Sequence, residues 1–205
     1  MTMLYRATLM VALIICALTT TLSAQQITLG IDAATPQGDF GERYNTAIQY
    51  TVGYNFMSYE PTEPGWVYGL ELSYLSFSPE IAFDANQVGS VDDYSRVGLG
   101  GSLGYHTAVA ENIYFTSTVA AHYFFDYYDF VDSPGFPESD SYQLIGITPR
   151  LMVSYIPNDY WSVGLRYGYN LSFAAANDAF GNTFITGSAF NTSIVGVHVG
   201  YYFYE

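Results

Sequence analysis

Residues 160–173 read YWSVGLRYGYNLSF, and a bulky apolar side chain occupies every second position of this stretch. The odd positions from Trp161 to Phe173 are aromatic or aliphatic, whereas the even positions from Ser162 to Ser172 are serine, glycine, asparagine and Arg166. A repeat of two is the side-chain repeat of a β-strand. The run is longer than the usual strand of about five or six residues. A tilted strand needs about nine to eleven residues to cross the hydrocarbon of a bilayer. The stretch therefore predicts a transmembrane strand with its odd face toward lipid and its even face toward a barrel lumen.

Seven other segments show the same alternation, and together they predict eight strands. Eight strands can close without an edge, so that every backbone group is paired inside lipid, and an even number returns both chain ends to one side. The segments between them alternate in length. The predicted fold is therefore all-β, an eight-stranded antiparallel up-and-down transmembrane β-barrel with short periplasmic turns and longer external loops. The other predicted strands are 26–35, 45–57, 66–78, 94–106, 112–125, 141–156 and 191–204, the short turns 58–65, 107–111 and 157–159, and the long loops 36–44, 79–93, 126–140 and 174–189.

Residues 1–24 have the features of a secretory signal peptide. Arg6 supplies a positive charge, Leu9–Leu18 is an apolar run too short to span a membrane, and Leu-Ser-Ala closes the segment as a small-residue cleavage site. Its removal would leave residues 25–205 as one outer-membrane β-barrel domain. It would also remove Cys16, the only cysteine, so that the mature chain has no disulfide and no thiolate chemistry.

The charge balance excludes one class of partner. The chain has no lysine, and after the predicted cleavage four arginines stand against 19 acids, a formal charge of −15. Proteins that bind nucleic acid need Lys and Arg to neutralise phosphates, so no nucleic-acid partner is expected. No apolar run after Ala24 approaches the about 18 residues of a membrane helix.

Alternation alone also fits a soluble lipocalin-type barrel with its apolar side chains inside. Such a barrel needs a charged outer face for solubility. The polar faces of the predicted strands instead carry mostly glycine, serine, threonine and asparagine, with a few arginines and acids and no lysine. Small residues suit a narrow interior, which favours the membrane interpretation and leaves the soluble barrel as the alternative.

These features together resemble one known superfamily. The leader, the eight alternating strands, the unequal connections and the ending VGVHVGYYFYE are similar to the small outer-membrane barrels of the OmpA/OmpX-like or opacity-like kind. The resemblance covers nearly all of residues 25–205 and implies a monomer in the bacterial cell outer membrane, in contact with its lipid. It also implies recognition by the outer-membrane insertion machinery. Tyr201 and Phe203 match the family's terminal aromatic insertion signal, although Tyr204 and Glu205 follow them.

Aromatic side chains are predicted to collect on the outward face where the strands meet the short turns. Rings with a polar tip prefer the headgroup boundary of a bilayer. We therefore expect a periplasmic aromatic girdle. Its predicted members are Trp66, Tyr68, Tyr105, Phe115, Tyr155, Trp161, Tyr201 and Phe203.

The inward charges are predicted to form a lumen network. Asp32, Glu71, Arg150, Arg166 and His198 all lie about six residues from the periplasmic end of their strands. Isolated charges at membrane depth are costly, so Glu71 and Asp32 are expected to neutralise Arg150 and Arg166, with His198 near Asp32. The interior of an eight-stranded barrel is just wide enough for side chains to fill, so this network predicts a plugged lumen.

Arg96 is predicted to belong to the same network nearer the outer rim, paired with Asp92 or Asp93. The network has two interpretations. It satisfies a polar core electrostatically, or it lines a narrow or gated ion path. The first predicts a structural or surface-interaction role through the acidic external loops, with a possible extracellular partner there. The second predicts a narrow porin-like channel for small solutes or ions.

Catalysis and metal binding are not expected. A lipid-modifying enzyme of this architecture needs a Ser and a His in contact near the lipid boundary. His122 with Ser117 or Thr118 is the nearest approach in the sequence, and its parity points inward. His106, His122 and His198 fall on strands far apart, whereas metal ligands cluster. The sequence thus predicts no catalytic residue, no metal and no cofactor.

Overall fold

The computed structural model describes residues 24–57, 60–177, 183–188 and 190–204. The predicted leader therefore falls, apart from Ala24, outside the described residues. Nine strands and one short 3₁₀ turn make up the described chain. They are β1 Ala24–Pro36, the 3₁₀ turn Gly38–Phe40, β2 Ala47–Met57, β3 Gly65–Phe77, β4 Tyr94–Ala110, β5 Ile113–Ser133, β6 Phe136–Asn158, β7 Trp161–Asn177, β8 Thr183–Ser188 and β9 Thr192–Tyr204.

Eight of these strands form a closed antiparallel barrel. Strands β1 to β7 pair in sequence order, β7 pairs with β9, and β9 pairs along its length with β1. The short strand β8 pairs with the far end of β7, beyond the part of β7 that pairs with β9. The predicted eight-stranded up-and-down barrel is confirmed, and closure leaves no edge in its wall. Among the described residues, no helix has the length and hydropathy needed to span a membrane.

The two ends of the barrel differ, and we name them by their connections. At the turn end lie residues 60–64, 111–112 and 159–160, together with the paired residues Ala24 and Tyr204. The opposite end, the loop end, carries the connections 37–46 and 78–93. Asn112 has a φ of 58°, which lets a two-residue turn join β4 to β5 at the turn end.

The predicted long loop 126–140 is wrong, because most of it is strand. Strands β5 and β6 continue past the barrel as a paired hairpin and reverse at Pro134 and Gly135, where Gly135 has a φ of 78°. The segment before β4 braces this hairpin, since Val131 N–H donates to the Ser90 carbonyl at 2.9 Å. Similarly, the predicted loop 174–189 begins as a continuation of β7 to Asn177 and contains β8.

The barrel wall exposes most of its apolar side chains and encloses three arginines with their carboxylate partners. Leu70 and Leu165 are 62% and 65% exposed, whereas Asp32 and Arg96 are 1% and 2% exposed. A continuous apolar belt of this kind is unfavourable in water and marks a surface that another apolar phase covers. The soluble barrel with an apolar interior is therefore ruled out, and the predicted orientation of the strand faces is confirmed.

Candidate functional site

Glu71 stands at the centre of the polar lumen. Both guanidinium Nη atoms of Arg150 donate to its carboxylate, at 2.5 and 2.6 Å, and Nε2 of His122 lies 2.9 Å from Oε1. The three residues come from β3, β6 and β5 and are all buried. A bidentate, charge-assisted pair of this geometry is among the strongest hydrogen-bonded contacts in proteins.

A second buried pair joins β1 to β7. Arg166 donates from Nε to Oδ1 of Asp32 at 2.6 Å and from Nη2 to Oδ2, and Nη2 also donates to the Thr51 hydroxyl at 2.7 Å. Strand β9 runs between the two partners, and Gly196 is the cross-strand neighbour of both. A Cβ atom at Gly196 would lie 2.2 Å from Oδ1 of Asp32, so the missing side chain leaves the space in which the pair forms.

A glycine on the intervening strand also makes room for the contact between Glu71 and His122. Gly100 on β4 is the register partner of both Glu71 and His122. A Cβ atom there would lie 2.4 Å from the His122 ring. In both places, polar side chains two strands apart meet over a glycine on the strand between them.

Arg96 does not pair with Asp92 or Asp93, and that prediction is wrong. Its Nε and Nη2 donate to the two carboxylate oxygens of Asp126 at 2.9 and 2.8 Å. Asp126 is the direct cross-strand neighbour of Arg96 and faces inward. The sequence prediction assigned Asp126 to a loop, which hid the nearest carboxylate. The guanidinium also lies 4.6 Å from the centre of the Phe124 ring, and the Tyr94 hydroxyl donates to the same carboxylate.

His198 lies on β9 opposite Gly30, and its hydrogen bond is with Ser154 and not with Asp32. Its Nε2 is 3.0 Å from the Ser154 hydroxyl. This Ser–His contact was missed by the sequence analysis, because it joins β6 to β9 across β7. It faces the lumen beside a cavity of about 50 Å³ and not the lipid boundary. Within the described part of the chain, no three His, Cys, Asp or Glu side chains are grouped to hold a metal ion.

Two apolar clusters lie above and below the polar network, and the sequence analysis missed both. The loop-end cluster contains Phe40, which enters from the connection between β1 and β2, and Tyr94 from the start of β4. Sequence parity could not reveal it, because Phe40 and Tyr44 are outside the strands. The loop-end cluster is Ala34, Phe40, Tyr44, Ala47, Leu75, Phe77, Tyr94 and Ile194, and the turn-end cluster is Ala24, Met57, Val67, Tyr114, Ile156 and Tyr202.

The eight aromatic residues of the predicted girdle lie in the turn-end halves of their strands. Trp66 packs edge-on against Tyr105 with ring centres 5.6 Å apart, and Trp161 against Tyr201 at 4.8 Å. Tyr201 in turn contacts Phe203 at 4.9 Å. Of the other three, Tyr155 is exposed, and Tyr68 and Phe115 are half-buried.

No protein-family model matches the chain, and a search of curated proteins found no match. Solved structures do match, at low sequence identity. Neisserial surface protein A is 11% identical with a TM-score of 0.53, covering 87% of this chain and 97% of its own. A major outer membrane protein from Thermus thermophilus is 14% identical with a TM-score of 0.52, covering 87% and 99%. Ail of Yersinia pestis, in complex with the heparin analogue sucrose octasulfate, is 12% identical with a TM-score of 0.51, covering 89% and 99%. The chain therefore has the fold of the small eight-stranded outer-membrane β-barrels.

Proposed function

We propose that this chain is a monomeric barrel of the bacterial outer membrane with a structural or surface-interaction role. The exposed apolar belt and the shared fold support the location. The lumen between its two apolar clusters is filled by the buried ion pairs, which supports a role that does not depend on a wide pore. The contacts of the barrel in this role are the outer-membrane lipid and the insertion machinery, for which Tyr201 and Phe203 are the proposed signal.

The ion-paired lumen is the observation that carries the proposal. Three buried arginines each pair with one buried carboxylate. The charged groups that could line a pore are therefore neutralised by one another. Purified protein in a planar bilayer should therefore show no steady current steps. Regular ohmic steps from the unmodified protein would overturn this part of the proposal.

The acidic loop end is the surface proposed for an extracellular partner. Its exposed acids stand on the connections 37–46 and 78–93 and on the β5–β6 hairpin, and Arg43 is also exposed on the first of these connections. The Ail complex supports ligand binding by a barrel of this fold, because that protein holds a heparin analogue. The exposed acids are Asp39, Glu42, Glu80, Asp84, Asp93, Asp129, Asp132, Glu138 and Asp140.

Cysteine labelling in intact cells tests which end of the barrel faces outward. Ser139 is exposed on the hairpin and Glu111 is exposed at the turn end, and Cys16 lies in the predicted leader. A membrane-impermeant maleimide should label Ser139→Cys in intact cells and Glu111→Cys only after lysis. The reverse pattern, or labelling of neither after lysis, would contradict the proposed location.

A narrow channel is the second candidate, and one observation favours it. Small cavities of about 50 and 10 Å³, both lined in part by Arg150, lie in the lumen. Among the described residues, Nε of Arg150 and Nδ1 of His198 are buried without a hydrogen-bond partner. If the lumen conducts, the current should disappear in Glu71→Ala or Arg166→Ala.

A further inference from the structure

A cleft of about 620 Å³ opens at the loop end of the barrel, above the ion pairs. It lies among the connection from β1 to β2, the start of β4, the extended part of β5 and the residues just before β9. Ligand sites in proteins are commonly clefts of about 300–1,000 Å³. The aromatic part of the lining is Phe40, Tyr44, Tyr94, Tyr128, Tyr169 and Phe190, and the polar part is Gln37, Asp39, Arg43 and Asn191.

Contacts within the protein hold the aromatic floor of the cleft in place. The ring of Phe40 packs against Tyr44 at 5.0 Å and Tyr94 at 5.2 Å, and all three side chains are buried. The Tyr94 hydroxyl donates to Asp126, which Arg96 holds in turn. Rings fixed in this way lose little freedom when a ligand binds, and preorganisation of this kind favours affinity.

The lining indicates an uncharged, hydroxyl-rich ligand. Val91 is the one aliphatic residue among the described lining residues, so the apolar surface consists of ring faces and not of the branched chains that suit a lipid tail. The partly exposed rings of Tyr128, Tyr169 and Phe190 can stack on the C–H faces of sugar rings. The amides of Gln37 and Asn191 can hydrogen-bond to sugar hydroxyls.

The charges around the cleft argue against an anionic ligand. Arg43 is the one cationic side chain among the described lining residues, and Asp39 lies in the same lining. Burial raises the pKa of Tyr44 to about 12, while Arg43 lowers it and the nearby Asp92 and Asp93 raise it. The Tyr44 hydroxyl therefore stays protonated at neutral pH, and the carboxylates around it would repel sulfates or phosphates.

We propose that the loop-end cleft binds a short uncharged oligosaccharide. The inference rests on the proposed function, since it requires the loop end to face the cell exterior. It also distinguishes this chain from Ail, whose solved complex contains a sulfated sugar analogue.

Saturation-transfer NMR tests the proposal on the full protein, purified in a detergent without a sugar head group. The probes are chitotetraose, cellotetraose, maltotetraose and, as the anionic comparison, sucrose octasulfate. At least one neutral tetrasaccharide should bind, and sucrose octasulfate should bind more weakly than that sugar. The inference is overturned if no neutral sugar binds or if sucrose octasulfate binds more tightly.

Two neighbouring tyrosines provide a matched pair of variants. Tyr128 lines the cleft and stacks on Tyr94 with ring centres 5.9 Å apart, whereas Tyr127 is exposed outside the cleft. Tyr128→Ala should weaken sugar binding about tenfold, the scale of one lost aromatic contact, and Tyr127→Ala should leave it unchanged. Equal effects of both substitutions would contradict the assignment. If Tyr128→Ala does not fold, Tyr169→Ala removes another cleft ring and takes its place.

The surface-labelling result distinguishes a failure of the sugar site from a failure of the proposed surface role. If Ser139→Cys is labelled in intact cells but no neutral sugar binds, the proposed surface role stands and only the sugar site fails. If Ser139→Cys is not labelled in intact cells while Glu111→Cys is, the outward placement of the loop end fails and the sugar site fails with it.

Discussion

At the residue scale, the lumen is organised by glycines that give long charged side chains room to cross a strand. Gly196 is opposite both Asp32 and Arg166, and Gly100 is opposite both Glu71 and His122. These two contacts therefore connect second-neighbour strands, whereas Arg96 pairs with Asp126 on the adjacent strand. A narrow barrel has room for both contacts because each forms above a residue without a side chain.

The Glu71 carboxylate should be a large contributor to stability. In Glu71→Gln the shape is kept, but the Arg150 guanidinium remains buried without a counter-charge. Removing one partner of a buried ion pair commonly costs about 3–5 kcal/mol. Urea unfolding of the protein in lipid vesicles should show this loss, whereas the exposed Glu80→Gln should change stability by less than about 0.5 kcal/mol. An unchanged midpoint for Glu71→Gln would show that the pair is not structural.

The space over Gly196 gives a second prediction at this scale. A Cβ atom there would lie 2.2 Å from Oδ1 of Asp32 and 2.3 Å from the carbonyl oxygen of Ile31. Gly196→Ala should therefore displace both the carboxylate and the strand, at a cost of about 1–3 kcal/mol. At Gly101, the nearest atom to an added Cβ is the Gly69 carbonyl oxygen at 3.5 Å, so Gly101→Ala is the matched control. Equal midpoints for the two variants in the same unfolding assay would show that Gly196 is not needed to make room for the Asp32–Arg166 pair.

Sequence parity predicted which charges point inward but not all of their partners. Asp32, Glu71, Arg150 and Arg166 lie on the polar faces of alternating runs, and a period of two is enough to place them in the lumen. Partner choice also depends on strand register and on which residues continue the strands. Asp126 could not be assigned to Arg96 while residues 126–140 were interpreted as a loop.

At the element scale, the β5–β6 hairpin shows where composition misleads. Pro134, Pro137 and the many acids in this segment are typical of a loop. Pro137 has no N–H to donate, but it lies opposite Val131, whose own N–H is bonded to Ser90 on the other side of β5. The proline therefore does not interrupt the hairpin, and the segment before β4 supports the outer edge of β5. Turn chemistry is confined to Pro134 and Gly135 at the tip.

Amide exchange distinguishes a hairpin from a loop. The backbone N–H of Val131 donates to the Ser90 carbonyl, so its exchange should be slow compared with that of the exposed Val88 in the connection before β4. Exchange measured by NMR or mass spectrometry checks this, because protected amides belong to cooperatively paired segments. Exchange at Val131 as fast as at Val88 would restore the loop interpretation.

At the scale of the whole molecule, the barrel has three layers inside one apolar shell. The loop-end cluster, the ion-paired middle and the turn-end cluster follow one another along the axis. The sequence predicted the shell and the charged middle, because both follow from alternation. It did not predict the apolar ends, which use Phe40 and Tyr44 from a connection and depend on how that connection folds back.

In a membrane-spanning barrel, the odd face of β7 meets acyl chains while its even face is enclosed. Nitroxide labels at single cysteines from Trp161 to Tyr167, in protein reconstituted into bilayers, measure this alternation. Val163 is 47% exposed and Ser162 is 2% exposed, so oxygen collision rates should alternate, high at odd positions and low at even ones. A water-soluble nickel complex should reach few of the odd positions. Collision rates without a period of two, or odd positions open to the nickel complex, would contradict the account.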